Sequence, residues 1–380
     1  MPEVKAGLEG IAVGSTAISA VDGIAGKLIY RGIDIHDLAS KSTFEETAYL
    51  IWFGKLPTRA QLEDLEAQLA REAPVAPGVI DALRRLPAGV APMDALRTAV
   101  SLLHHFDPDG DDNSLPAAQR KAIRLTAQTA TVTAAIERLR RGKEPVAPDP
   151  SLSYAANFIW MLNDEKPHAT ATKSLDIALI LHADHGFNAS TFAARVITST
   201  LTDIHSAITG AVGCLKGPLH GGANEAVMKT LLAVKQQVDA GEITGIEQWT
   251  RQALADKKLL MGFGHRVYKT EDPRATHLRR MSKELCAQAG QPWWFEWSSK
   301  MEEIVKAEKG LNPNVDFYSA TVYYVLGFPP DMYTCLFSVA RMSGWTAHVI
   351  EQLGNNRIIR PESEWIGLND VPYVPIEERG

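Results

Sequence analysis

The chain has 380 residues, of which 45% are hydrophobic and 22% charged, and its formal net charge is −6. These proportions are ordinary for a globular protein, and the acidic balance argues against nucleic-acid binding, which usually needs a basic surface. Because one hydrophobic core rarely serves so long a chain, we expect two domains of unequal size.

The first forty residues predict a β-hairpin, and the rest of the chain predicts helices. Residues 17–21 and 27–32 have strand-like composition and flank an Asp-Gly turn signal at Asp22 and Gly23. No convincing strand pattern follows residue 40. The predicted fold class is therefore all-α, predominantly helical, with a small N-terminal β-hairpin.

Helix signals are clear in the N-terminal half. Thr43 followed by Glu46 resembles a capping box, and leucines at helical spacing mark residues 58–72. The acidic segment 107–116 is predicted to be a solvated loop before a long helix at 116–141. This segment lacks the ligand spacing and closing Glu of a calcium loop, so we expect no metal there.

The second half also predicts helices, separated by Gly-rich breaks. A buried helix at 175–181 is expected to place His185 just beyond its C-terminal end, where Gly186 breaks the pattern. Ser190 and Asp203 are the candidate N-caps of the next two helices.

The cysteines and the N-terminal segment indicate a cytoplasmic protein. Cys214, Cys286 and Cys335 lie far apart in the sequence, which is typical of a reducing compartment and of neither a disulfide framework nor a zinc site. The first residues lack the basic start and apolar stretch of a secretory signal. No run of about 18 apolar residues predicts a membrane span.

His220 lies in the sequence Pro-Leu-His-Gly-Gly, just before a predicted helix. Glycine weakens helices and strands alike, so propensity does not explain this setting. The N–H groups and dipole of a helix N-terminus disfavour an imidazolium, so a neutral His220 could donate a hydrogen bond to a carbonyl oxygen. The alternative is a histidine that only caps the loop.

His265 ends the sequence Gly-Phe-Gly-His and is followed by cations. The glycines let a ligand approach the backbone, but the full glycine pattern of a dinucleotide site is absent. Arg274 suits a two-pronged grip on a carboxylate, and Lys269 suits a phosphate as a point charge. The alternative for these cations is a solvated charged face.

Asp316 and Arg341 are charges in apolar surroundings. Asp316 lies between Pro313 and aromatic residues, where partial removal from water should make it basic enough to abstract a proton next to a carbonyl. The alternative is an aspartate that caps the helix starting at Phe317, and both roles can coexist. Arg341 lies on a mostly apolar helix and needs a partner, such as a substrate carboxylate.

A zinc site is the metal alternative, with His182, Asp184, His185 and His220 as its ligands. No His-Glu-x-x-His helix is present, and the glycines do not favour a rigid four-ligand cage. We therefore expect no metal.

Together these segments resemble those of the citrate synthase family, of the shorter bacterial kind. The matching sequences are LHADHGFNAST at 181–191, LKGPLHGGANEAVMK at 215–229, GFGHRVYKTEDPR at 262–274, NPNVDFYSA at 312–320, GWTAHVIEQ at 344–352 and RIIRP at 357–361. The resemblance covers nearly the whole chain, including YRGIDI at 30–35.

The resemblance implies an acid–base mechanism with acetyl-CoA as a substrate and no cofactor. Asp316 would take a proton from the acetyl methyl group, while His220 stabilises the enol. His265 would polarise and protonate the ketone of oxaloacetate, and water would hydrolyse citryl-CoA. The residues implied to bind oxaloacetate are His185, Arg274, Arg341 and Arg360. Those implied to bind CoA are Leu259, Leu260, Met261, Gly262, Phe263, Gly264 and Lys269.

The resemblance also implies two helical domains with a cleft between them. The large domain is expected at 1–219 and 325–380, and the small domain at 220–324, with closure that excludes water. Arg360 is expected to reach in from the partner subunit, which predicts a homodimer with shared active sites. Gly186 stands where many bacterial relatives carry Glu. The chain lacks the extra N-terminal region of NADH-inhibited enzymes, so we expect no such inhibition.

Two alternatives to citrate synthesis stay open. A 2-methylcitrate synthase uses propionyl-CoA with the same catalytic residues, and one methylene in an apolar pocket changes binding by only about 1–3 kcal/mol. A non-catalytic scaffold of the same family is the other alternative. The presence of all three catalytic residues argues against it.

Overall fold

The structure is a computed structural model that describes residues 5–8 and 10–380, and helices dominate it. The α-helices are α1 (Ile35–Lys41), α2 (Phe44–Phe53), α3 (Arg59–Glu72), α4 (Pro77–Arg84), α5 (Pro92–Leu103), α6 (Leu115–Arg140), α7 (Tyr154–Asn163), α8 (Ala169–His182), α9 (Ala189–Thr198), α10 (Ile204–Leu215), α11 (Ala223–Asp239), α12 (Ile246–Ala255), α13 (Pro273–Gln288), α14 (Trp293–Lys309), α15 (Val315–Val325) and α16 (Tyr333–Gly354). Short 3-10 turns lie at Ala6–Leu8, His104–Phe106, Pro330–Met332 and Ile376–Glu378. The N-terminal segment, which we predicted not to be a secretory signal, includes residues 1–4 and 9, and these lie outside the described residues.

A small antiparallel sheet precedes the helices. Its strands, in the order in which they pair, are β1 (Ser19–Asp22), β2 (Lys27–Tyr30) and β3 (Ile33–Asp34). The register of both pairs is described by Tyr30 of β2, which lies opposite Ser19 of β1 and Ile33 of β3. The predicted hairpin is confirmed. The third strand was not predicted, because two residues are too few to show an alternating pattern.

The centre of the molecule is α16, which is buried along almost its whole length. It packs against α2, α6, α8, α9 and α10. A helix that is apolar all round needs neighbours on every side, and these five helices provide them. A polar side chain on α16 is therefore held in the core rather than on the surface.

A second group of helices packs mainly within itself. Helices α11 and α13 both pack on α15, and α14 joins α12 to α13. This group falls within the predicted small domain at 220–324, whose boundaries stay a prediction. No helix of the described residues combines the length and apolar composition that crossing a membrane requires.

The cap predictions had mixed outcomes. Asp203 caps α10 as predicted, accepting the backbone N–H of Ser206 at 2.9 Å. The prediction for Ser190 was wrong: Asn188 caps α9 by accepting the backbone N–H of Thr191 at 3.0 Å. The hydroxyl of Ser190 is instead engaged by a histidine, as described below.

Candidate active site

Two of the predicted segments pair through their backbones. The N–H of Gly264 donates to the carbonyl oxygen of Asn312 at 2.9 Å, and the N–H of Asn314 donates to that of Gly262 at 2.9 Å. The side-chain amide of Asn314 also donates to the carbonyl oxygen of Gly264 at 2.9 Å. These bonds hold the loop that ends at His265 against the N-terminus of α15.

Gly262 makes this approach possible. Its φ of +85° lies in the left-handed region, where a Cβ is disfavoured. A Cβ at this position would also lie 2.8 Å from the side chain of Val227 and 2.9 Å from that of Phe317. The sequence needs glycine here for both conformation and space.

His265 is held with a defined tautomer. Its Nδ1 accepts the backbone N–H groups of Val267 at 3.0 Å and Tyr268 at 3.1 Å. Since Nδ1 accepts, the proton of the neutral ring lies on Nε2. Burial, followed by the charge of Arg274, lowers the pKa of His265 to about 4. At neutral pH the ring is therefore an uncharged donor through Nε2.

His220 has the opposite tautomer. Its Nε2 accepts the backbone N–H of Ser190 at 3.3 Å and lies 2.8 Å from the Ser190 hydroxyl. The oxygen of that hydroxyl accepts the indole N–H of Trp345 at 3.1 Å. The proton of the neutral ring therefore lies on Nδ1. Burial, followed by the charge of Arg341, lowers the pKa of His220 to about 4. The ring is an uncharged donor through Nδ1.

Asp316 is the second residue of α15, and it does not cap that helix. The N-cap is Asn314, whose side chain accepts the backbone N–H of Asp316 at 3.0 Å. The capping role considered for Asp316 was thus wrong. Its Oδ1 is buried and has no hydrogen-bond partner in the part of the chain that the structure describes. Burial raises the pKa of Asp316 to about 7, which suits a carboxylate that takes up a proton.

Arg274 makes the predicted bidentate contact with a carboxylate, but this carboxylate belongs to a residue of its own chain. Its Nε and Nη2 donate to the two carboxylate oxygens of Asp272 at 2.9 and 2.8 Å. Asp272 also accepts the backbone N–H of Val315 at 3.2 Å, which ties the pair to α15. Burial lowers the pKa of Arg274, but Asp272 more than offsets this and the net pKa is raised. The guanidinium stays charged, and its Nη1 side is not used by Asp272.

Arg341 is buried without a carboxylate partner. It is 1% exposed, and its Nε donates to the carbonyl oxygen of His182 at 2.7 Å. The centre of its guanidinium lies 4.8 Å above the ring of Phe337. Burial lowers its pKa to about 10, so it is still charged at neutral pH. Among the described residues no carboxylate forms an ion pair with it, so an anionic ligand would offset a large desolvation cost.

His185 lies beside the ring of His265. The two ring centroids are 5.4 Å apart, and the Nε2 of His185 lies 3.2 Å from the Tyr268 hydroxyl. Burial, followed by the charge of Arg274, lowers the pKa of His185 well below its ordinary value. The predicted placement of His185 just after α8 is confirmed.

Asp184 is a buried residue of this region that the sequence did not single out as a positioning group. Its carboxylate accepts from the Ser19 hydroxyl and from the backbone N–H of Gly186 at 3.1 Å, and it lies 3.3 Å from Nε2 of His348. The hydroxyl of Tyr30 donates to its carbonyl oxygen at 3.0 Å. The sheet and α16 thereby fix the backbone just before His185. Ser190 as a partner of His220, and the bond from Val315 to Asp272, were missed because a contact distant in sequence leaves no local pattern.

The side chains of the zinc alternative have other partners. Nδ1 of His182 lies 2.8 Å from the carbonyl oxygen of Ala178 in its own helix. Asp184 accepts from the Ser19 hydroxyl, and His220 is bonded to Ser190. Among the described residues these side chains do not bring their ligand atoms together as a metal-like group.

The predicted CoA segment leads into the paired loop. Leu259 is 85% exposed, Leu260 and Met261 are half-buried, and Gly262 is buried. Lys269 is exposed beside a cavity of about 220 Å³. Other residues lining this cavity include Gly264, His265, Thr270, Leu311 and Asn312.

Arg360 is the one predicted site residue that its own chain does not bring to this cluster. It is exposed on the C-terminal segment that follows α16 and makes no hydrogen bond or ion pair with the described residues. Its predicted role depends on a second subunit.

Known proteins share both the sequence and the fold of this chain. A family model described as "Citrate synthase, C-terminal domain" matches residues 7–362. The chain is 48% identical to citrate synthase 2 of Bacillus subtilis, with 98% of each chain covered. It is 42% identical to 2-methylcitrate synthase 1 of Corynebacterium glutamicum, with 99% of each covered.

A solved structure gives the same result for the fold. The citrate synthase of Thermoplasma acidophilum, solved as a ternary complex with carboxymethyl coenzyme A and oxaloacetate, superposes with a TM-score of 0.91 at 34% identity. The match covers 99% of this chain and 100% of the other. Sequence and fold therefore agree over almost the entire length. The chain belongs to the citrate synthase family of condensing acyltransferases.

Proposed function

We propose that the chain is a citrate synthase, which condenses acetyl-CoA with oxaloacetate and hydrolyses the product thioester to citrate and CoA. The observation that carries this proposal is Asp316, a carboxylate with an unpaired buried oxygen and a pKa near 7. Two uncharged histidine donors with opposite tautomers accompany it. A base with two such donors suits enolisation followed by carbon–carbon bond formation.

The first step forms the enol. A carboxylate oxygen of Asp316 takes a proton from the methyl group of the thioester. The electron pair of that C–H bond forms the carbon–carbon double bond, and the π pair of the carbonyl moves onto the thioester oxygen. Nδ1–H of His220 donates to this oxygen and stabilises the negative charge that develops on it. The lowered pKa of His220 supports this role, because the ring is then neutral at neutral pH and donates through its single N–H, on Nδ1.

The second step joins the two substrates. The enol carbon attacks the ketone carbon of oxaloacetate, and the ketone oxygen takes the proton from Nε2 of His265. The proton that Asp316 took up returns to His265 through solvent, which resets both groups, and water then cleaves the thioester to citrate and the CoA thiol. Arg341 and the unused side of Arg274 bind the carboxylates of oxaloacetate, with His185 beside them. The ternary complex of the Thermoplasma relative contains oxaloacetate and a CoA analogue, which supports this pair of substrates.

Acetyl-CoA is the acyl donor that we propose, and propionyl-CoA is the alternative. The relatives at 48% and 46% identity are a citrate synthase 2 and a citrate synthase, whereas a 2-methylcitrate synthase follows at 42%. The test is kcat/KM for each acyl-CoA with saturating oxaloacetate, measured by release of free CoA thiol. We expect a preference of at least about 10-fold for acetyl-CoA, the discrimination that one methylene allows.

Three outcomes of this assay are informative. A preference for propionyl-CoA would replace citrate with 2-methylcitrate as the product and leave the condensing mechanism intact. Absence of turnover with both thioesters would contradict the whole proposal. Thiol release that persists without oxaloacetate would indicate simple thioester hydrolysis, and Asp316→Asn gives the background for that comparison.

We also propose a cytoplasmic homodimer in which Arg360 of one subunit completes the site of the other. Two inactive variants, Arg360→Gln and Asp316→Asn, test this arrangement by coexpression. In a mixed dimer one site has an intact Asp316 and receives an intact Arg360 from its partner. Random pairing should restore about a quarter of the wild-type activity. No recovery in mixed dimers isolated by two affinity tags would contradict the shared site.

Closure of a small domain at 220–324 over the substrates is the remaining part of the proposal. Small-angle scattering should show a smaller radius of gyration when oxaloacetate and a non-reactive CoA thioether are added. An unchanged scattering curve with both ligands bound would contradict closure.

A further inference from the structure

A group of side chains outside the proposed active site is arranged like a metal site. Among the described residues, His104, Asp203 and His205 each offer one ligand atom within 4.8 Å of the other two. His104 lies in the 3-10 turn that follows α5, Asp203 caps α10, and His205 lies in the first turn of α10. Helices α5 and α10 pack against each other, which brings the three side chains together.

Two imidazole nitrogens in this group have no hydrogen-bond partner in the described part of the chain. They are Nδ1 of His104 and Nδ1 of His205, and both are buried. They lie 3.5 and 3.8 Å from Oδ1 of Asp203. The side chain of His205 is only 2% exposed, so bulk water does not satisfy it. A buried polar atom without a partner is destabilising and calls for a ligand.

The other nitrogen of each ring faces a carboxylate. Nε2 of His205 lies 3.4 Å from Asp107, and Nε2 of His104 lies 3.6 Å from Asp111. Asp107 is in turn held by Arg124 at 2.6 Å. Metal-binding histidines usually direct the second ring nitrogen to a carboxylate, which fixes the nitrogen that binds the metal. The acidic loop at 107–116 therefore orients both rings with Nδ1 toward Asp203.

The donor types select the class of metal. Two imidazole nitrogens and one carboxylate oxygen suit zinc or a similar transition ion with one position left for water, whereas calcium and magnesium prefer oxygen ligands throughout. Ligands about 2.1 Å from a tetrahedral ion lie about 3.4 Å apart, so the two distances to Asp203 need little change. Oδ1 of Asp203 already accepts the N–H of Ser206 at 2.9 Å, and its second lone pair can bind an ion.

We propose that His104, Asp203 and His205 bind one divalent transition-metal ion of the zinc class. The ion links the C-terminal end of α5 to the N-terminus of α10 and so stabilises the packing of these two helices. The sequence predicted no metal, because these ligands come from two segments about a hundred residues apart.

The test is titration of the full-length, tag-free protein with Co²⁺ and with Zn²⁺ after treatment with a chelator. We expect one ion per chain, visible absorption bands of a four- or five-coordinate Co²⁺ ion, and a higher melting temperature in Zn²⁺. His104→Gln should weaken binding by more than 100-fold. Asp107→Asn, which removes the carboxylate behind His205 and with it one partner of Arg124, should weaken it by about 10- to 100-fold.

His105→Gln is the matched control, because His105 is exposed and adjacent to His104 but is not part of the group. It should bind Co²⁺ as the wild type does. Asp203→Asn adds a variant that keeps a good helix cap and loses the charge. Binding that is equally strong in His104→Gln and His105→Gln would overturn the proposal, as would a wild-type protein with no Co²⁺ bands and an unchanged melting temperature.

Discussion

Two regions of the molecule bury an arginine, and they do so in opposite ways. Arg124 in α6 is surrounded by carboxylates, with Glu72 at 2.8 Å, Asp107 at 2.6 Å and Asp109 at 3.2 Å. Arg341 in α16 has a single carbonyl oxygen and an aromatic ring. The first arginine is paired by carboxylates of the protein itself, whereas the second forms no ion pair with the described residues and is the one that we propose binds a ligand.

The comparison extends to carboxylates. Asp107 is paired and its pKa is lowered below the ordinary value: burial raises it, but His205 and Arg124 outweigh this effect. Asp316 is not paired, and its pKa is raised to about 7 by burial. Paired buried charges stabilise a fold, whereas unpaired ones cost stability and are retained where a ligand or a reaction uses them.

The largest expected effect belongs to Asp316→Asn. It should lower kcat by about 10²–10⁴-fold, because the base is lost while the shape is kept. The same variant should be more stable than the wild type at pH 8 by roughly 1–4 kcal/mol, measured by urea unfolding. Because folding raises the pKa of Asp316 to about 7, the stability of the wild type falls as the pH rises from about 4 to about 7 and the loss is complete at pH 8, whereas asparagine does not ionise. Equal stability at pH 8 would indicate that Asp316 is not desolvated.

The next effect contrasts the two arginines directly. Arg341→Gln should lower kcat/KM for oxaloacetate by about 10²-fold, since charged hydrogen bonds are worth up to about 3 kcal/mol, and should leave the protein folded. Arg124→Gln should instead destabilise the fold by on the order of 3 kcal/mol and leave kcat/KM unchanged at temperatures where it is folded. If both variants lost stability and kept activity, the distinction between the two regions would fail.

The pH dependence of kcat/KM should follow the unpaired groups. His220 and His265 have pKa values lowered to about 4, so both are uncharged above pH 5. Asp316 must be ionised to act as a base, so activity should fall about 10-fold for each pH unit below 7 and level off above it. A profile that is flat from pH 5.5 to 8 would contradict the assigned base.

The smallest effect tests the loop that carries His265. Gly262→Ala places a Cβ at a positive φ and against Phe317. We therefore expect it to lower the free energy of unfolding by about 1–3 kcal/mol and to reduce activity in part. Gly241→Ala is the matched control, since its φ is +73° but no atom lies within 4 Å of the added Cβ. We expect Gly241→Ala to lower the free energy of unfolding by about 1 kcal/mol and to leave activity unchanged. Equal effects would show that packing against α15 is unimportant.

The fold was largely predictable because helices leave local marks in the sequence. The leucine spacing at 58–72 matches α3, and the cap at Asp203 starts α10. The strand β3 and the cap at Asn188 were missed, the first because it is too short and the second because Ser190 is an equally good cap type.

The site was predictable in its residue types and less so in their partners. Glycine-flanked histidines and a buried aspartate stand out from any structural pattern. The grip of Arg274 on Asp272 was not foreseen, because an Asp-Pro-Arg sequence is also an ordinary helix start. Whether a buried charge is paired depends on contacts that only the folded chain brings together.

The backbone pairing between the loop at 262–264 and the start of α15 has a consequence for substrate choice. The distance between Asp316, the proposed base, and His265, the proposed donor to the ketone, is set by main-chain bonds, and Asp272 adds a further tie through Val315. Asp316 and His265 are therefore expected to move as one rigid unit. Side-chain substitutions should not change the spacing between them. We therefore expect any room for a longer acyl chain to come from side chains elsewhere around the proposed site.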